Sequence, residues 1–303
     1  MQAHPMKIRT KFLRGRANRA MFTYLAALLL IALPAKATIS IVSSGSSSAS
    51  QYSLVGSNYT QTFDTLANSS GGYSNGTSAT WTNNATLPGW YIGNNEGNAS
   101  VSLLLQNGSS NPTVSGGTSR PLSLGANNDS DRALGVHTNN SSVVSYIGLG
   151  FTNNSGSTLN SFTIGYTGEQ WREATTQRTQ SFTLQYLVGA TLADLTSATN
   201  WTTISGGGFA SDQITTVSNS SLLYTATLSN LTVDSLSVES GSSIWFRWMV
   251  QTTGTTNNSQ DVIGIDNVSV SFAAIPEPST YALAIGALAL GLAAYRRRRV
   301  TAK

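Results

Sequence analysis

Histidine is the first residue type to test for chemistry, because it supplies the general base of Ser-His-Asp triads. The chain has two histidines, His4 and His137, and His4 lies in a leader that we expect to be removed. A triad would therefore have to use His137, and no Gly-x-Ser-x-Gly elbow leads into a predicted helix. We interpret His137 as a structural or surface residue. One histidine and no cysteine also exclude a conventional zinc site.

Paired carboxylates are the second feature to test, since a glycoside hydrolase needs two of them across the scissile bond. Glu169 and Glu173 are the only close pair of glutamates. Between them, Trp171 could line a sugar subsite. The alternative is a structural ion pair between Glu169 and Arg172 at a sheet edge, with Trp171 in the core. We favour this alternative, so a hydrolase is the least favoured function.

A calcium site is the third hypothesis, because Ca²⁺ takes six to eight oxygen ligands from carboxylates, amides and carbonyls. The segment 127–131, Asn-Asn-Asp-Ser-Asp, offers such donors in a predicted loop, and Asp261 and Asp266 offer more. The candidate ligands are Asp129, Asp131 and Asp266. The alternative is a turn whose Asn and Asp side chains bond their own backbone. We expect no other cofactor.

Tryptophan is the fourth feature, because exposed indole rings stack on sugars. The body of the chain holds six: Trp81, Trp90, Trp171, Trp201, Trp245 and Trp248. Trp245 and Trp248 are three positions apart, so on one strand they face opposite sides. We expect one of the two in the core. Trp171, Trp245 and Trp248 are the candidates for sugar stacking.

Charge is distributed unevenly along the 303 residues. The net charge is +4, but the central part, 38–274, has five arginines, no lysine and 12 acidic residues, which is a net charge of −7. A nucleic-acid partner is not expected, because phosphate contacts need a basic face. The absence of cysteine excludes a disulfide framework.

The elements that position these residues are predicted to be strands. Short runs of β-branched and aromatic residues recur between Gly, Asn, Ser and Thr clusters, and segments such as 162–166 and 263–272 alternate apolar and polar residues. This alternation is typical of half-buried strands. The pattern predicts an all-β domain over 59–274, an antiparallel jelly-roll-like β-sandwich. Residues 38–58 are predicted to be a Ser/Gly-rich linker.

The N-terminus has the three zones of a secretory signal peptide. A basic stretch over 7–19 precedes an apolar run over 21–33, and Ala35 and Ala37 complete an Ala-x-Ala site. We predict that residues 1–37 are a signal peptide cleaved after Ala37. The alternative is an uncleaved N-terminal anchor.

The C-terminus, residues 275–303, also has three zones. The first is Pro276-Glu277-Pro278, which proline keeps extended. An Ala/Leu/Gly-rich segment over 279–295 follows and is predicted to be a single transmembrane helix at the short end of spanning length. The segment ends in the basic cluster Arg296-Arg297-Arg298-Arg299, which should stay cytoplasmic while the body lies outside. The alternative is a buried core helix.

This ordered tail resembles the PEP-CTERM sorting signal of Gram-negative bacteria. The resemblance covers about the last 28 residues of the sequence. It implies export, membrane anchoring and processing near Pro276-Glu277-Pro278 by an exosortase, so export machinery and exosortase would be partners. It also implies a bacterium that makes extracellular polysaccharide.

Five short motifs follow one another along the body: Phe63-Asp64-Thr65-Leu66, Leu87-Pro88-Gly89-Trp90, Asp131-Arg132-Ala133-Leu134-Gly135, Gly168-Glu169-Gln170-Trp171-Arg172 and Ile265-Asp266-Asn267-Val268. In this order they resemble the β-sandwich ectodomain of many PEP-CTERM proteins and other secreted bacterial proteins. The resemblance spans roughly residues 60–272 and implies a fold, not an activity.

These observations predict an exported, surface-associated structural protein of the extracellular polysaccharide matrix that is not an enzyme. It would be anchored in the membrane with its body outside and then reach the cell surface or the matrix. The alternative is a carbohydrate-binding module at the cell surface, which would bind polysaccharide through exposed aromatic residues.

Overall fold

The structure, a computed structural model, describes most of the predicted body and the C-terminal segment. The described residues are 38–41, 53–55, 58–68, 77–93, 100–109, 112, 119–137, 144–173, 179–189, 195–211, 221–253, 261–274 and 278–300. Residues 36–275 form one compact unit, and the C-terminal segment from residue 276 belongs to another.

Strands dominate the described part of the body. In chain order they are β1 (Thr38–Ile41), β2 (Ser53–Val55), β3 (Asn58–Gln61), β4 (Thr77–Thr82), β5 (Trp90–Gly93), β6 (Ser100–Gln106), β7 (Arg120–Leu124), β8 (Ala133–His137), β9 (Ser145–Thr152), β10 (Leu159–Arg172), β11 (Thr179–Val188), β12 (Thr202–Thr203), β13 (Phe209–Ala210), β14 (Tyr224–Val233), β15 (Ser243–Thr253) and β16 (Val262–Ala274). The prediction of an all-β body is confirmed.

The strands form two sheets. Sheet 1 has the order β12-β11-β15-β9-β1-β2, and β13 and β5 pair with β11 and β9. Sheet 2 has the order β14-β10-β16-β8-β7-β6-β4, and β3 pairs with β16. From β8 to β16 the chain passes repeatedly between the sheets, so that β8-β16-β10-β14 lie in one and β9-β15-β11-β12 in the other. This alternation is typical of a double-sheet jelly roll.

One hydrophobic core is shared by both sheets. Alternation along β10 points Phe162, Ile164 and Tyr166 into it, and β15 contributes its own inward residues. The rings of Phe162 and Phe246, from opposite sheets, meet edge to face with centroids 4.9 Å apart. Such aromatic pairs add about 0.5–1.5 kcal/mol beyond the area that they bury. The inward residues therefore join the two sheets face to face.

Two features differ from the predicted antiparallel sandwich. Strands β6 and β7 pair in parallel, with Leu104 opposite Leu122, so the antiparallel prediction is wrong for this pair. Within the predicted linker, β1 pairs with β2 and with β9. β1, Thr38–Ile41, does alternate polar and apolar residues, but the Ser/Gly-rich residues that follow it led to the prediction of a linker.

The C-terminal segment forms helix α1, Pro278–Val300. The prediction of a helix over 279–295 is confirmed, and the helix continues through the arginine cluster. Large apolar side chains are exposed along its length, namely Leu283, Ile285, Leu288, Leu290 and Leu292. Within the described part of the chain, no helix combines the length and the apolar character needed to cross a membrane.

Candidate functional site

The candidate site is on the outer face of sheet 2, where β10 and β16 run side by side. Glu169 lies opposite Gly264, and Thr167 lies opposite Asp266. Paired residues share a face, and residues two apart on a strand share a face. Glu169 and Asp266 therefore project from the same outer face, as diagonal neighbours about 7–8 Å apart at the backbone.

A β-bulge in β16 sets the direction of the Asp266 side chain. Between the pairs Gly165–Ser269 and Thr167–Asp266, β16 contains one residue more than β10. Asn267 in this bulge has a left-handed φ of 48°, which asparagine tolerates better than most residues. Bulges commonly re-aim a side chain beside a functional site.

Asp266 is almost completely buried, with 3% of its surface exposed. Its Oδ2 accepts a hydrogen bond from Asn267 Nδ2 at 2.7 Å. Its Oδ1 is also buried and accepts no hydrogen bond from the described residues. Burial raises the pKa of Asp266, the backbone hydrogen bond from Asn267 lowers it, and the negative charges of Glu169, Asp131 and Asp64 raise it again, to about 7 in all.

Two irregular segments, 62–68 and 125–132, bring Asp64 and Asp131 to this face. Ser123 Oγ donates to Ala67 O at 2.7 Å, and the Arg132 backbone N–H donates to Asp64 Oδ1 at 3.4 Å. The fully buried Arg132 guanidinium donates from Nε to Ser123 Oγ and from Nη1 to Ala126 O, at 3.0 and 2.9 Å. Arg132 therefore holds the loop that carries Asp131 in place.

Glu169 is the fourth carboxylate of this group. Its Oε2 accepts a hydrogen bond from Trp171 Nε1 at 2.8 Å, and the residue is 8% exposed. Burial raises its pKa, the hydrogen bond from Trp171 lowers it, and the charge of Asp131 raises it again. We call Asp64, Asp131, Glu169 and Asp266 the acidic cluster. Each of its members comes from a different one of the five sequence motifs.

The predicted calcium ligands are separated by the structure. Asp131 and Asp266 belong to the acidic cluster. Asp129 is exposed, and its Oδ1 accepts the backbone N–H of Asp131 at 3.2 Å, as in the alternative of a self-bonded turn. Among the described residues, no three acidic or histidine side chains are already grouped closely enough to hold one metal ion.

The predicted glutamate pair does not converge. Glu173 accepts a hydrogen bond from Gln170 at 2.7 Å, and Gln170 faces the side of β10 opposite to Glu169. Burial lowers the pKa of Arg172, and the negative charge of Asp261 raises it. The strand register places these two residues near each other, since Arg172 lies opposite Val262, the neighbour of Asp261.

His137 lies at the end of β8, opposite Arg120, and is 2% exposed. It is therefore a buried residue of the sheet. A histidine acting as general base must reach a substrate, and this one does not face open solvent.

The three tryptophans proposed for sugar stacking are buried. Trp245 and Trp248 are fully covered and Trp171 is 8% exposed. Trp245 and Trp248 face opposite sides of β15 as expected, but both sides are covered: Trp248 is in the shared core and Trp245 in a second apolar cluster. Sugar stacking needs an exposed ring face, and none of these three tryptophans has one.

Trp201 is the half-buried tryptophan that the sequence did not single out. Its ring stacks on the guanidinium of Arg247, whose Cζ lies 4.2 Å from the centroid of the Trp201 ring. The same Cζ lies 4.8 Å from the centroid of the Tyr146 ring. Arg247 also donates from Nε to Gln185 Oε1 at 2.7 Å and from Nη1 to Ser197 O at 2.8 Å. We call this arrangement the arginine cage. It holds residues 195–201 on the outer face of sheet 1.

The sorting and processing residues are only partly within the described residues. Ala35, Ala37, Pro276 and Glu277 lie outside them. Pro278 begins α1, and Arg296, Arg297, Arg298 and Arg299 lie in its last turns.

No family model matches the chain, and no curated protein is similar to it. The acidic cluster and the arginine cage are therefore interpreted from their geometry. No local sequence pattern connects Asp64 or Glu169 with Asp266. The available signal was that four of the five motifs carry one acidic residue each.

Proposed function

We propose that the protein is an exported, surface-associated structural component of an extracellular polysaccharide matrix, sorted by a PEP-CTERM and exosortase system. The observation that carries the proposal is the order of features at the C-terminus: Pro276-Glu277-Pro278, the Ala/Leu/Gly-rich α1 and the four arginines. A signal peptide over 1–37 would supply the export step, with cleavage after Ala37.

The exposed apolar side chains of α1 support the proposal that this helix lies in an apolar environment. Leu283, Ile285, Leu288, Leu290 and Leu292 are each more than half exposed. At 100° per residue, Leu283 and Leu290 lie on one side of the helix, and the other three lie on the opposite side. A helix with large apolar side chains on opposite sides needs protein or lipid around it. We propose lipid, because Arg296 to Arg299 would remain at the cytoplasmic side.

The body supports a structural role through the burial of its chemically active side chains. His137 and Glu173 are covered, and Glu169 is bonded to Trp171. The remaining exposed surface of sheet 2 includes pairs of threonine, such as Thr163 with Thr232 at 2.9 Å. A surface of hydroxyls with few charges suits a hydrated polysaccharide matrix.

Intact-mass analysis of surface protein, from cells with and without an exosortase, tests the sorting proposal. We expect a chain that begins at Thr38 and ends near Pro276-Glu277-Pro278 when the exosortase is present. Replacing Pro276 and Pro278 with Ala should leave membrane insertion intact and block processing. A chain that ends at Lys303 in both strains would contradict the processing step.

A second set of variants separates anchoring from processing. Replacing Arg296 to Arg299 with Ser should reduce retention in the membrane fraction, because the positive charges stop transfer. Replacing the same four arginines with Lys is the matched control and should preserve retention. Equal retention of the Ser and Lys variants would contradict the proposed orientation.

Carbohydrate binding is the second candidate function, and Trp201 is the observation that favours it. This ring is half-buried and is held by the arginine cage. A glycan array with the full-length protein and with Trp201→Ala tests it. Loss of a glycan signal in Trp201→Ala, but not in the buried-core control Trp81→Phe, would support sugar binding. No signal with the wild-type protein would remove this candidate.

A further inference from the structure

The acidic cluster contains one buried carboxylate oxygen that has no hydrogen-bond partner among the described residues. Asp266 is more than nine-tenths buried, its Oδ2 is bonded to Asn267, and its Oδ1 is buried without a hydrogen-bond partner among the described residues. A buried carboxylate oxygen without a partner is costly. Proteins meet this cost with a proton, a donor or a metal ion.

The surroundings of Asp266 favour a positive ion. Asp64, Asp131 and Glu169 all act on its carboxylate with negative charge. Three acidic neighbours around a fourth carboxylate repel one another, and a proton or a cation among them relieves this repulsion. This cluster and the unpartnered Oδ1 are independent observations, because one concerns charge and the other concerns hydrogen bonding.

We infer that the acidic cluster binds one divalent cation of the calcium type, with Asp266 Oδ1 as its buried ligand and carboxylate oxygens of Asp131, Asp64 and Glu169 around it. The site joins β10, β16 and the segments 62–68 and 125–132. It is independent of the sorting proposal, since all its ligands lie in the body.

The chemistry of the donors selects the ion. The four side chains offer only oxygen, which suits hard cations such as Ca²⁺ and Mg²⁺. Mg²⁺ requires a compact octahedron at about 2.0–2.1 Å, whereas Ca²⁺ accepts six to eight oxygens at about 2.3–2.6 Å in flexible geometry. Ligands from four separate segments, two of them irregular, fit the flexible coordination of Ca²⁺ better than the compact octahedron of Mg²⁺.

Binding requires movement of exposed side chains. The four carboxylates are not grouped closely enough to share an ion in the present arrangement. Asp64 and Asp131 are exposed, so their side chains can rotate toward Asp266 without unpacking the core. Asp266 and Glu169 are already fixed by Asn267 and Trp171.

Thermal unfolding of the purified full-length protein, in EDTA and in millimolar CaCl₂ or MgCl₂, tests the site. At a calcium concentration 100 times Kd, we expect the Tm of the body to rise by roughly 5–10 °C. Asp266→Asn, which keeps the shape of the side chain, should lose this rise, and the matched control Asp234→Asn should keep it. No rise in the wild-type protein, or an equal rise in Asp266→Asn, would overturn the inference.

Terbium luminescence gives a second measurement that does not depend on stability. Tb³⁺ takes the same oxygen ligands as Ca²⁺, and Trp171, bonded to Glu169, lies beside the site. We expect tryptophan-sensitised emission that Ca²⁺ displaces and that Asp131→Asn weakens. Trp171→Phe should reduce the emission, because the indole beside Glu169 is the proposed sensitiser. Emission unchanged in Asp266→Asn and Asp131→Asn would overturn the inference.

Discussion

Replacing Arg247 tests how strongly the arginine cage holds residues 195–201 on the outer face of sheet 1. Arg247 is 2% exposed and its guanidinium lies between Tyr146 and Trp201. Its Nη1 donates to the backbone oxygens of Leu195 and Ser197. Arg247→Met keeps the aliphatic length and removes the charge and all the donors.

The expected loss follows from these contacts. Leaving a buried carbonyl without a donor costs about 1–3 kcal/mol, and here Leu195 O and Ser197 O both lose one. The cation–π contacts contribute about 0.5–2 kcal/mol. Apolar packing by methionine offsets part of this, so we expect the free energy of unfolding to fall by about 3 kcal/mol. This is a large fraction of the 5–15 kcal/mol typical of a domain.

Denaturant unfolding measures this change, and acrylamide quenching of tryptophan fluorescence locates it. Five of the six tryptophans are buried, so increased quenching would report on Trp201 when residues 195–201 loosen. Arg247→Lys retains the charge but not the planar fork, and we expect about half the loss. Arg120→Met, at a half-buried position on β7, is the control and should change stability by less than about 1 kcal/mol.

Two outcomes would refute this reasoning. A loss below about 1 kcal/mol for Arg247→Met would mean that water or neighbouring groups replace the donors readily. A fall in stability without any change in Trp201 quenching would mean that Arg247 does not hold residues 195–201.

Three further predictions concern packing, ionisation and the loop of the acidic cluster. A Cβ at Gly168 would overlap the ring of Phe209, so Gly168→Ala should lower the unfolding free energy by about 1–3 kcal/mol in denaturant titrations, whereas Gly208→Ala, with room for a methyl group, should change it little. Burial raises the pKa of Tyr59 to about 12 and also raises the pKa of Tyr166; because the unfolded chain ionises first, each should lower stability above pH 10 by about 1.4 kcal/mol per pH unit, and an alkaline unfolding profile that is flat, or that Tyr59→Phe does not make shallower, would contradict this. Arg132→Lys should lower stability by about 2–3 kcal/mol, because lysine cannot replace the hydrogen bonds to Ser123 and Ala126; unchanged thermal unfolding would show that the loop does not need them.

Local pattern predicted the strands but not their neighbours. In Phe162-Thr163-Ile164, the alternation of apolar and polar residues was enough to predict a half-buried strand, because a strand has a period of two residues. The parallel pairing of β6 with β7 depends on residues far apart in the chain, and no local pattern specifies it. The same limit applies to β1, because its pairing with β2 and with β9 also joins residues that no local pattern connects.

The outer face of sheet 1 shows why the burial of Trp245 was not predicted. A spacing of three residues placed Trp245 and Trp248 on opposite faces of β15, and the structure agrees. The outer face was assumed to be open. Instead, Gly148 and Gly150 in β9 lack side chains, so Leu195 and Trp245 pack directly on the backbone there. The segment Gly148-Leu149-Gly150 was the available signal for this second layer.

The acidic cluster gives the motif order a physical reason. Asp64, Asp131, Glu169 and Asp266 are separated by dozens of residues, and the pairing of β16 with β3, β8 and β10 brings their segments together. An acidic body with such a cluster is least stable where no cation is available, because its charges repel. If the affinity lies in the range of extracellular calcium modules, a Kd of about 10⁻⁴–10⁻³ M, cytosolic calcium is too dilute to occupy the site. The ion would then bind outside the cell, so export and final stabilisation of the body would be successive steps, and the body in a buffer at the calcium concentration of the cytosol should unfold at the lower Tm of the EDTA-treated protein.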